Sequence, residues 1–212
     1  MRPFAILAVL SSLALAACAG TGGGASTAAT PSFDCAKISD PVQPTICAEP
    51  QLARLDSEFA ANLARALSDP DSVPSGEDLR SAQRQWIVQR NLCAADSDPK
   101  SCLVKSYAAR LQQVRMGSGV ARGSDAEGIT YGPFAVTCQG MSDPLVATFI
   151  NAEPNIVYIS GSLGSLVLTQ AMAASGARYA DAAETTVFWN KGNEALFQRP
   201  GEPDTNCTLA PI

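Results

Sequence analysis

Apolar residues recur at Leu52, Leu55, Phe59, Leu63 and Ala66, three and four positions apart. That spacing places one stripe on one face of a helix. Pro50 stands where the first helical turn tolerates a proline. After the breaker-rich "SDPDSVPSG", a second stripe runs through Leu79, Ala82, Trp86 and Cys93, with Ser75 as its N-cap. A third, through Leu103, Tyr107, Leu111 and Val114, follows "AADSDPKS". Short links predict antiparallel neighbours, hence a small helical bundle. Cys47 opens the first helix, Cys93 closes the second and Cys102 opens the third, so these thiols gather at one end, where Cys35 must join them. Four cysteines allow three pairings, and the spacing does not choose among them.

The period changes to two in the second part of the chain. "FAVTC", "PLVATFI" (144–150), "NIVYIS" (155–160), "LVLT" (166–169), "TTVFWN" (185–190), "EALFQ" (194–198) and "TNCTL" read as short strands separated by turn residues. At least seven such strands predict a small antiparallel barrel or sandwich. Cys138 falls in the first strand and Cys207 in the last, and pairing them ties the ends of this unit together. The stretch "MGSGVARGSDAEG" separates the two patterns. The expected fold is therefore α+β in two domains, a disulfide-stapled bundle over 33–115 and a β unit over 129–212, with 116–128 as the link.

The start of the chain reads differently. Met1-Arg2 precedes an almost wholly apolar run that ends Leu15-Ala16-Ala17-Cys18, too short for a stable membrane span. Small residues before a cysteine form a bacterial lipobox. Cleavage after residue 17 leaves Cys18 to carry the lipid, and several acyl chains on one residue give firm anchoring. Ala19 in place of Asp points to the outer membrane, with the protein facing the periplasm. Residues 18–32 are rich in Gly, Ala, Ser and Thr and read as a flexible tether. Export also explains the cysteine count: seven in all, one for lipid and six for disulfides.

Composition removes several functions. There is no histidine and no CxxC, so a zinc site, a Ser-His-Asp triad and a Cys-His pair are not expected. No cofactor loop is recognisable, and no metal or cofactor is expected. Lys and Arg balance Asp and Glu from Met1 to Ala126, so the segment from Glu127 to Ile212 carries all of the net charge of −5. Such a chain, lacking a basic stripe, suits a basic protein partner and not nucleic acid.

Two short motifs remain, Ser175-Gly176 in "SGARY" and Lys191-Gly192 in "FWNKGNEA". "WNKGNE" reads as a hairpin with Lys191-Gly192 at the tip and Asn190 and Asn193 flanking it, or as a looser turn with Gly192 left-handed. Composition alone makes Lys191 a solvated turn lysine and Ser175 a loop hydroxyl. Tyr179 and Trp189 pack beneath the loops. Arg178 either reaches the rim or, preferably, pairs with Asp181 or Glu184.

The first region resembles the LprI-like lysozyme-inhibitor family through "FDCAKISDPVQPTICAEPQLARLDSEFAANL", "LRSAQRQWIVQRNLC" and "SCLVKSYAARLQQV". In these segments Trp86 and Tyr107 read as core, and Arg90, Arg110 and Asp56 as structural ion pairs or solvated positions. The second region resembles the membrane-bound C-type lysozyme inhibitor (MliC) family through "VTCQG", "SGARY", "FWNKGNEA" and the closing cysteine, with a somewhat longer segment "ADAAETT" between the two loops. This resemblance implies an eight-stranded antiparallel barrel. It also implies C-type lysozyme as partner, with Ser175 and Lys191 entering the active-site cleft and Gly176, Arg178, Tyr179 and Gly192 completing the binding loops. The chain is then an inhibitor and not an enzyme. The alternatives are a non-catalytic envelope module for a glycan or another envelope protein and, with less support, an enzyme built on Glu184 and Glu194. The sequence leaves the oligomeric state open.

Overall fold

A computed structural model describes residues 29–123 and 128–212. The expected signal, Cys18, most of the tether and part of the link lie outside the described residues. The order of elements is α1 (Gln43–Ala48), α2 (Pro50–Ser68), α3 (Gly76–Asn91), a 3-10 turn (Leu92–Ala95), α4 (Pro99–Gly117) and α5 (Gly119–Arg122). Eight strands follow: β1 (Thr130–Cys138), β2 (Leu145–Ile150), β3 (Ile156–Gly161), β4 (Gly164–Ala171), β5 (Ala177–Ala180), β6 (Val187–Lys191), β7 (Glu194–Gln198) and β8 (Thr205–Pro211). Each strand pairs antiparallel with the next, and β8 returns to β1, so the sheet is a closed barrel. Among the described residues, no helix is long and apolar enough to cross a membrane.

The helical stripes are where their spacing predicts. Leu52, Leu55, Phe59 and Ala66 of α2 and Leu103, Tyr107, Leu111 and Val114 of α4 are buried in one cluster. The second stripe is weaker. In the 16 residues of α3 only Leu79 and Arg90 are buried, and Cys93 sits in the 3-10 turn beyond the helix. Trp86 is half-buried against Phe59 and Tyr107, with ring centroids 4.8 and 5.2 Å away. Cys47 belongs to the separate short helix α1, because Glu49 takes an extended conformation before Pro50. Helix α4 begins at Pro99, earlier than its apolar stripe, because Asp98 caps it by accepting from Ser101 N at 3.1 Å. Ser75 is the N-cap of α3 but makes no side-chain capping bond. The pairings are Cys35–Cys47, Cys93–Cys102 and Cys138–Cys207.

A polar chain runs through the middle of the bundle. Tyr107 OH donates to Asp56 Oδ1 at 2.7 Å, Arg90 Nη1 donates to Tyr107 OH at 3.1 Å, and Arg90 Nη2 donates to Asp40 Oδ2 at 2.6 Å. Ser32 N and Oγ both donate to Asp56 Oδ2 at 2.6 Å. Burial, followed by the Asp56 charge, pushes the Tyr107 phenol far above its ordinary pKa, so it stays a donor.

The bundle and the barrel are packed together. Ile150, Ile156 and Tyr158 on the outer face of β2 and β3 belong to the helical core, while Ala147, Phe149, Val157 and Ile159 on the inner face belong to the barrel core. Both faces of these strands are buried, which is why "LVATFI" and "IVYIS" carry near-continuous apolar runs. Gln112 of α4 donates to Val146 O at 3.2 Å and Thr148 Oγ1 at 3.1 Å, and accepts from Ser160 Oγ. Arg115, 1% exposed, donates to Gly132 O at 2.7 Å, Asn62 Oδ1 at 2.9 Å and Ala121 O at 2.9 Å, joining β1, α2 and α5. Arg54 reaches Glu153 at 2.9 Å and Gln51 Nε2 donates to Pro154 O at 2.8 Å, both in the β2–β3 turn. Within the expected link, α4 continues to Gly117 and α5 forms a further turn.

Cys138 and Cys207 are register partners on β1 and β8, where the barrel closes, 69 residues apart in sequence. Replacing both by Ala is expected to lower stability by about 4 kcal/mol on the chain-entropy account, read from urea unfolding. Asp69 Oδ2 accepts from Ser118 Oγ at 2.6 Å and from Val120 N at 3.2 Å, and these bonds hold the Asp69 carboxyl below the usual carboxylate range. A depressed folded-state pKa stabilises the fold above the unfolded value of about 4 and is lost as pH falls through the folded one. Asp69→Asn is therefore expected to flatten the loss of melting temperature with acid below that pH, relative to the parent.

Candidate functional site

The loops carrying Ser175 and Lys191 lie at one end of the barrel because β5 and β6 pair in a fixed register, Ala177↔Asn190 to Ala180↔Val187. Ser175 precedes the start of β5 and Lys191 ends β6, so the antiparallel ladder sets them side by side. Strand β5 itself is absent from the period-two pattern. It has only four residues, "ARYA", without an apolar run to mark it.

The added length of "ADAAETT" is taken up at the opposite barrel end. Asp181 N donates to Thr186 O at 3.1 Å, and the Asp181 carboxylate accepts from Thr185 N, Thr185 Oγ1 and Thr186 N at 2.8 to 3.0 Å. These bonds draw Thr185 and Thr186 out of the predicted strand, and β6 starts at Val187. The segment closes on itself as a loop, and its length does not set the spacing of Ser175 and Lys191 at the other end of the ladder.

The β6–β7 hairpin is shifted by one residue from the predicted tip. Lys191 pairs with Glu194, leaving Gly192-Asn193 as the two-residue turn. Gly192 has φ +63° and Asn193 has no positive φ, the pattern of a turn whose first central position needs glycine. Lysine is thereby spared a left-handed backbone, and its side chain leaves the last ladder position at the rim, exposed. At the other loop, Gly176 has φ +67°, and a Cβ there would meet Asn190 O at 2.5 Å and Lys191 Cβ at 3.3 Å. The Ser-Gly loop therefore presses directly on the lysine hairpin. Trp189 Nε1 donates to Ser175 O at 2.8 Å and fixes the loop from the outer wall.

Ser175, Trp189, Lys191, Glu194, Leu196 and Asn206 line one hollow of ≈ 220 Å³. Sequence patterns marked neither Leu196 nor Asn206 for this site, since neither stands in a motif and the ladder alone brings them in. Among the described residues, Lys191 has no carboxylate within ion-pair distance and Ser175 Oγ has no hydrogen-bond partner. Arg178 is different: its Nη2 pairs with Glu184 Oε2 at 2.8 Å, one of the two partners expected. Tyr179 is 4% exposed and packs on Phe149 inside the barrel, and burial pushes its phenol above the ordinary pKa. It supports the loops from within and offers a partner almost no surface. A second hollow of ≈ 460 Å³ at the barrel mouth is lined by Phe134, Phe149, Tyr179, Asn190 and the Gly192-Asn193 turn. Among the described residues, no group of three or more Cys, Asp or Glu is placed to hold a metal ion.

This is a closed β-barrel presenting two glycine-hinged loops at its rim, backed by a disulfide-stapled helical bundle. The family model of the membrane-bound lysozyme-inhibitor of c-type lysozyme (MliC) matches residues 136–206. Over 176 residues the chain is 30% identical to Lipoprotein LprI of Mycobacterium bovis and of Mycobacterium tuberculosis, covering 81% of this chain and 83% of each relative. The chain belongs to the LprI family of lipoproteins, with an MliC-type barrel as its C-terminal part. No solved structure matches it.

The two glycines give a local test. Gly176→Ala combines a left-handed backbone with a backbone clash and is expected to cost more than about 2 kcal/mol. Gly192→Ala meets nothing within 4 Å and carries only the conformational term, about 1 kcal/mol or slightly more. Urea unfolding of both variants reads the difference.

Proposed function

We propose that this protein inhibits C-type lysozyme by inserting the Ser175 and Lys191 loops into the active-site cleft, without turnover. The supporting observation is the pair of unused polar groups. Ser175 and Lys191 line one hollow, and among the described residues neither side chain is tied to a partner, whereas the nearby Arg178 is tied to Glu184.

The target chemistry fits these groups. A C-type lysozyme holds one protonated and one ionised carboxyl side by side. An ammonium pairs with the ionised carboxylate and a hydroxyl bonds the acid, and charge-assisted bonds contribute about twice a neutral one. Lys191 stands on the last pair of the β6–β7 ladder and Ser175 on a loop held by Trp189 Nε1, so little ordering is lost on binding. The net negative charge of the second part of the chain attracts a basic lysozyme at long range, while Lys191 supplies the local contact. A lipid on Cys18, in an outer membrane and facing the periplasm, would hold the inhibitor where it protects the cell wall.

Ser175→Ala and Lys191→Ala are each expected to weaken inhibition of a C-type lysozyme. The double variant should lose about 2 kcal/mol or more, roughly 30-fold in inhibition constant. Unchanged inhibition by both single variants would place the binding site elsewhere. Binding without loss of lytic activity would instead favour a non-inhibitory envelope module.

A further inference from the structure

Two of the buried arginines of the bundle, Arg90 and Arg110, have opposite surroundings. Arg90 is neutralised by Asp40 at 2.6 Å, and its Nε and Nη1 donate to Asn91 Oδ1 and Tyr107 OH, each at 3.1 Å. Arg110 is 7% exposed, yet its acceptors are two neutral amides: Nε donates to Gln83 Oε1 at 3.3 Å and Nη1 to Gln113 Oε1 at 3.2 Å. Its Nη2 is buried without a partner, and among the described residues no carboxylate lies within 4.0 Å of the guanidinium. Arg110 is thus neither the ion pair nor the solvated side chain expected from its motif. A buried cation without a counter-charge is strongly unfavourable, and a buried donor without an acceptor adds to that cost.

We infer that Arg110 is the recognition residue of a carboxylate-binding site between α3 and α4. Gln83 and Gln113 hold the guanidinium plane from Nε and Nη1, leaving Nη2 as the donor without an acceptor. A planar carboxylate can accept from Nη1 and Nη2 together in the parallel geometry that suits arginine. One buried guanidinium matches one negative charge, which favours a carboxylate over a phosphate dianion. Nη2 is itself closed to solvent, while Gln113 is exposed and Gln83 half-exposed, so a ligand enters by turning the Gln113 amide aside. Arg80, one turn before Gln83 on α3, is exposed, has no ion pair among the described residues and adds to the local attraction. The site is on the bundle and makes no use of the loops at Ser175 and Lys191.

The test uses the full chain and sodium acetate as probe, titrated against sodium chloride at constant ionic strength. The arginine Nε–H resonances are followed by NMR, with that of Arg110 assigned by its loss in Arg110→Gln. A saturable shift of this resonance with acetate is expected, together with a rise in melting temperature that Arg110→Gln abolishes. Acetate affinity should fall roughly tenfold or more in that variant. Gln113→Ala retains the guanidinium and clears the entrance, so it should bind acetate at least as tightly as the parent and keeps the test valid if Arg110→Gln does not fold. A shift that never saturates, or an equal thermal effect of acetate on parent and Arg110→Gln, would overturn the site. Inorganic phosphate binding more tightly than acetate would overturn the carboxylate assignment.

Discussion

Strands β2 and β3 are apolar on both faces, and the rest of the molecule is arranged around that constraint. The inner face closes the barrel core through Ala147, Phe149, Val157 and Ile159. The outer face, with Ile150, Ile156 and Tyr158, would meet water unless something covered it, and α2 and α4 do so. Burying that face also buries Thr148, whose hydroxyl would lose its water partner. Gln112 answers it from α4 with a side chain that donates and accepts at once. Arg115, three residues further along α4, donates to β1, α2 and α5. Hydrophobic burial holds the two parts together, and these two side chains fix their relative position.

That arrangement leaves the opposite wall of the barrel free. Strands β6 and β7 stand across the ring from β2 and β3 in the strand order, so the bundle does not cover the hollow that Ser175 and Lys191 share. The geometry of the two loops then depends on local devices. Gly176 lets the Ser-Gly loop press against Asn190 and Lys191, Trp189 anchors it, and Gly192 takes the backbone strain of the hairpin so that Lys191 need not. Extra length in "ADAAETT" is closed off by the Asp181 carboxylate at the other end of the strands. An insertion in a loop is tolerated there because the register, and not the contour length, sets the distance between functional groups.

How much of this was legible depends on how many turns of a pattern each element offers. Helices α2 and α4 are each 19 residues long, and their stripes predict the buried face residue by residue. Helix α3 buries only Leu79 and Arg90, so its stripe overstates its packing. Strand β5 shows too little alternation in four residues to be seen. The hairpin tip was displaced by one because a Lys-Gly pair satisfies the composition of a turn, while the ladder decides which residues occupy it. Ser175 and Lys191 were legible as motifs, but Leu196 and Asn206 enter their hollow only through strand pairing, which single-chain periodicity does not contain. The doubly apolar runs in β2 and β3 did carry a readable signal: a strand of a half-exposed antiparallel sheet alternates, and these do not.

Arg90 and Arg110 show how far a motif can be read. Arg90 and Arg110 each stand in a short helical signature and would be assigned the same structural role by sequence. Their charge is resolved differently. Asp40, on the segment before α1, reaches Arg90, and the chain Asp40–Arg90–Tyr107–Asp56–Ser32 leaves every member with a partner. That network ties the residues preceding the bundle onto its centre, and its closure makes a structural role sufficient. Around Arg110 the neighbouring helix supplies an amide where Arg90 meets a carboxylate. Amides orient a guanidinium without neutralising it, and burial pulls its pKa below the ordinary arginine value because no anion offsets the lost hydration. A structural pair needs charge balance within the chain. An arginine positioned by neutral groups keeps its charge available to something outside it, and the same logic distinguishes Lys191, without an ion pair among the described residues, from Arg178, paired with Glu184.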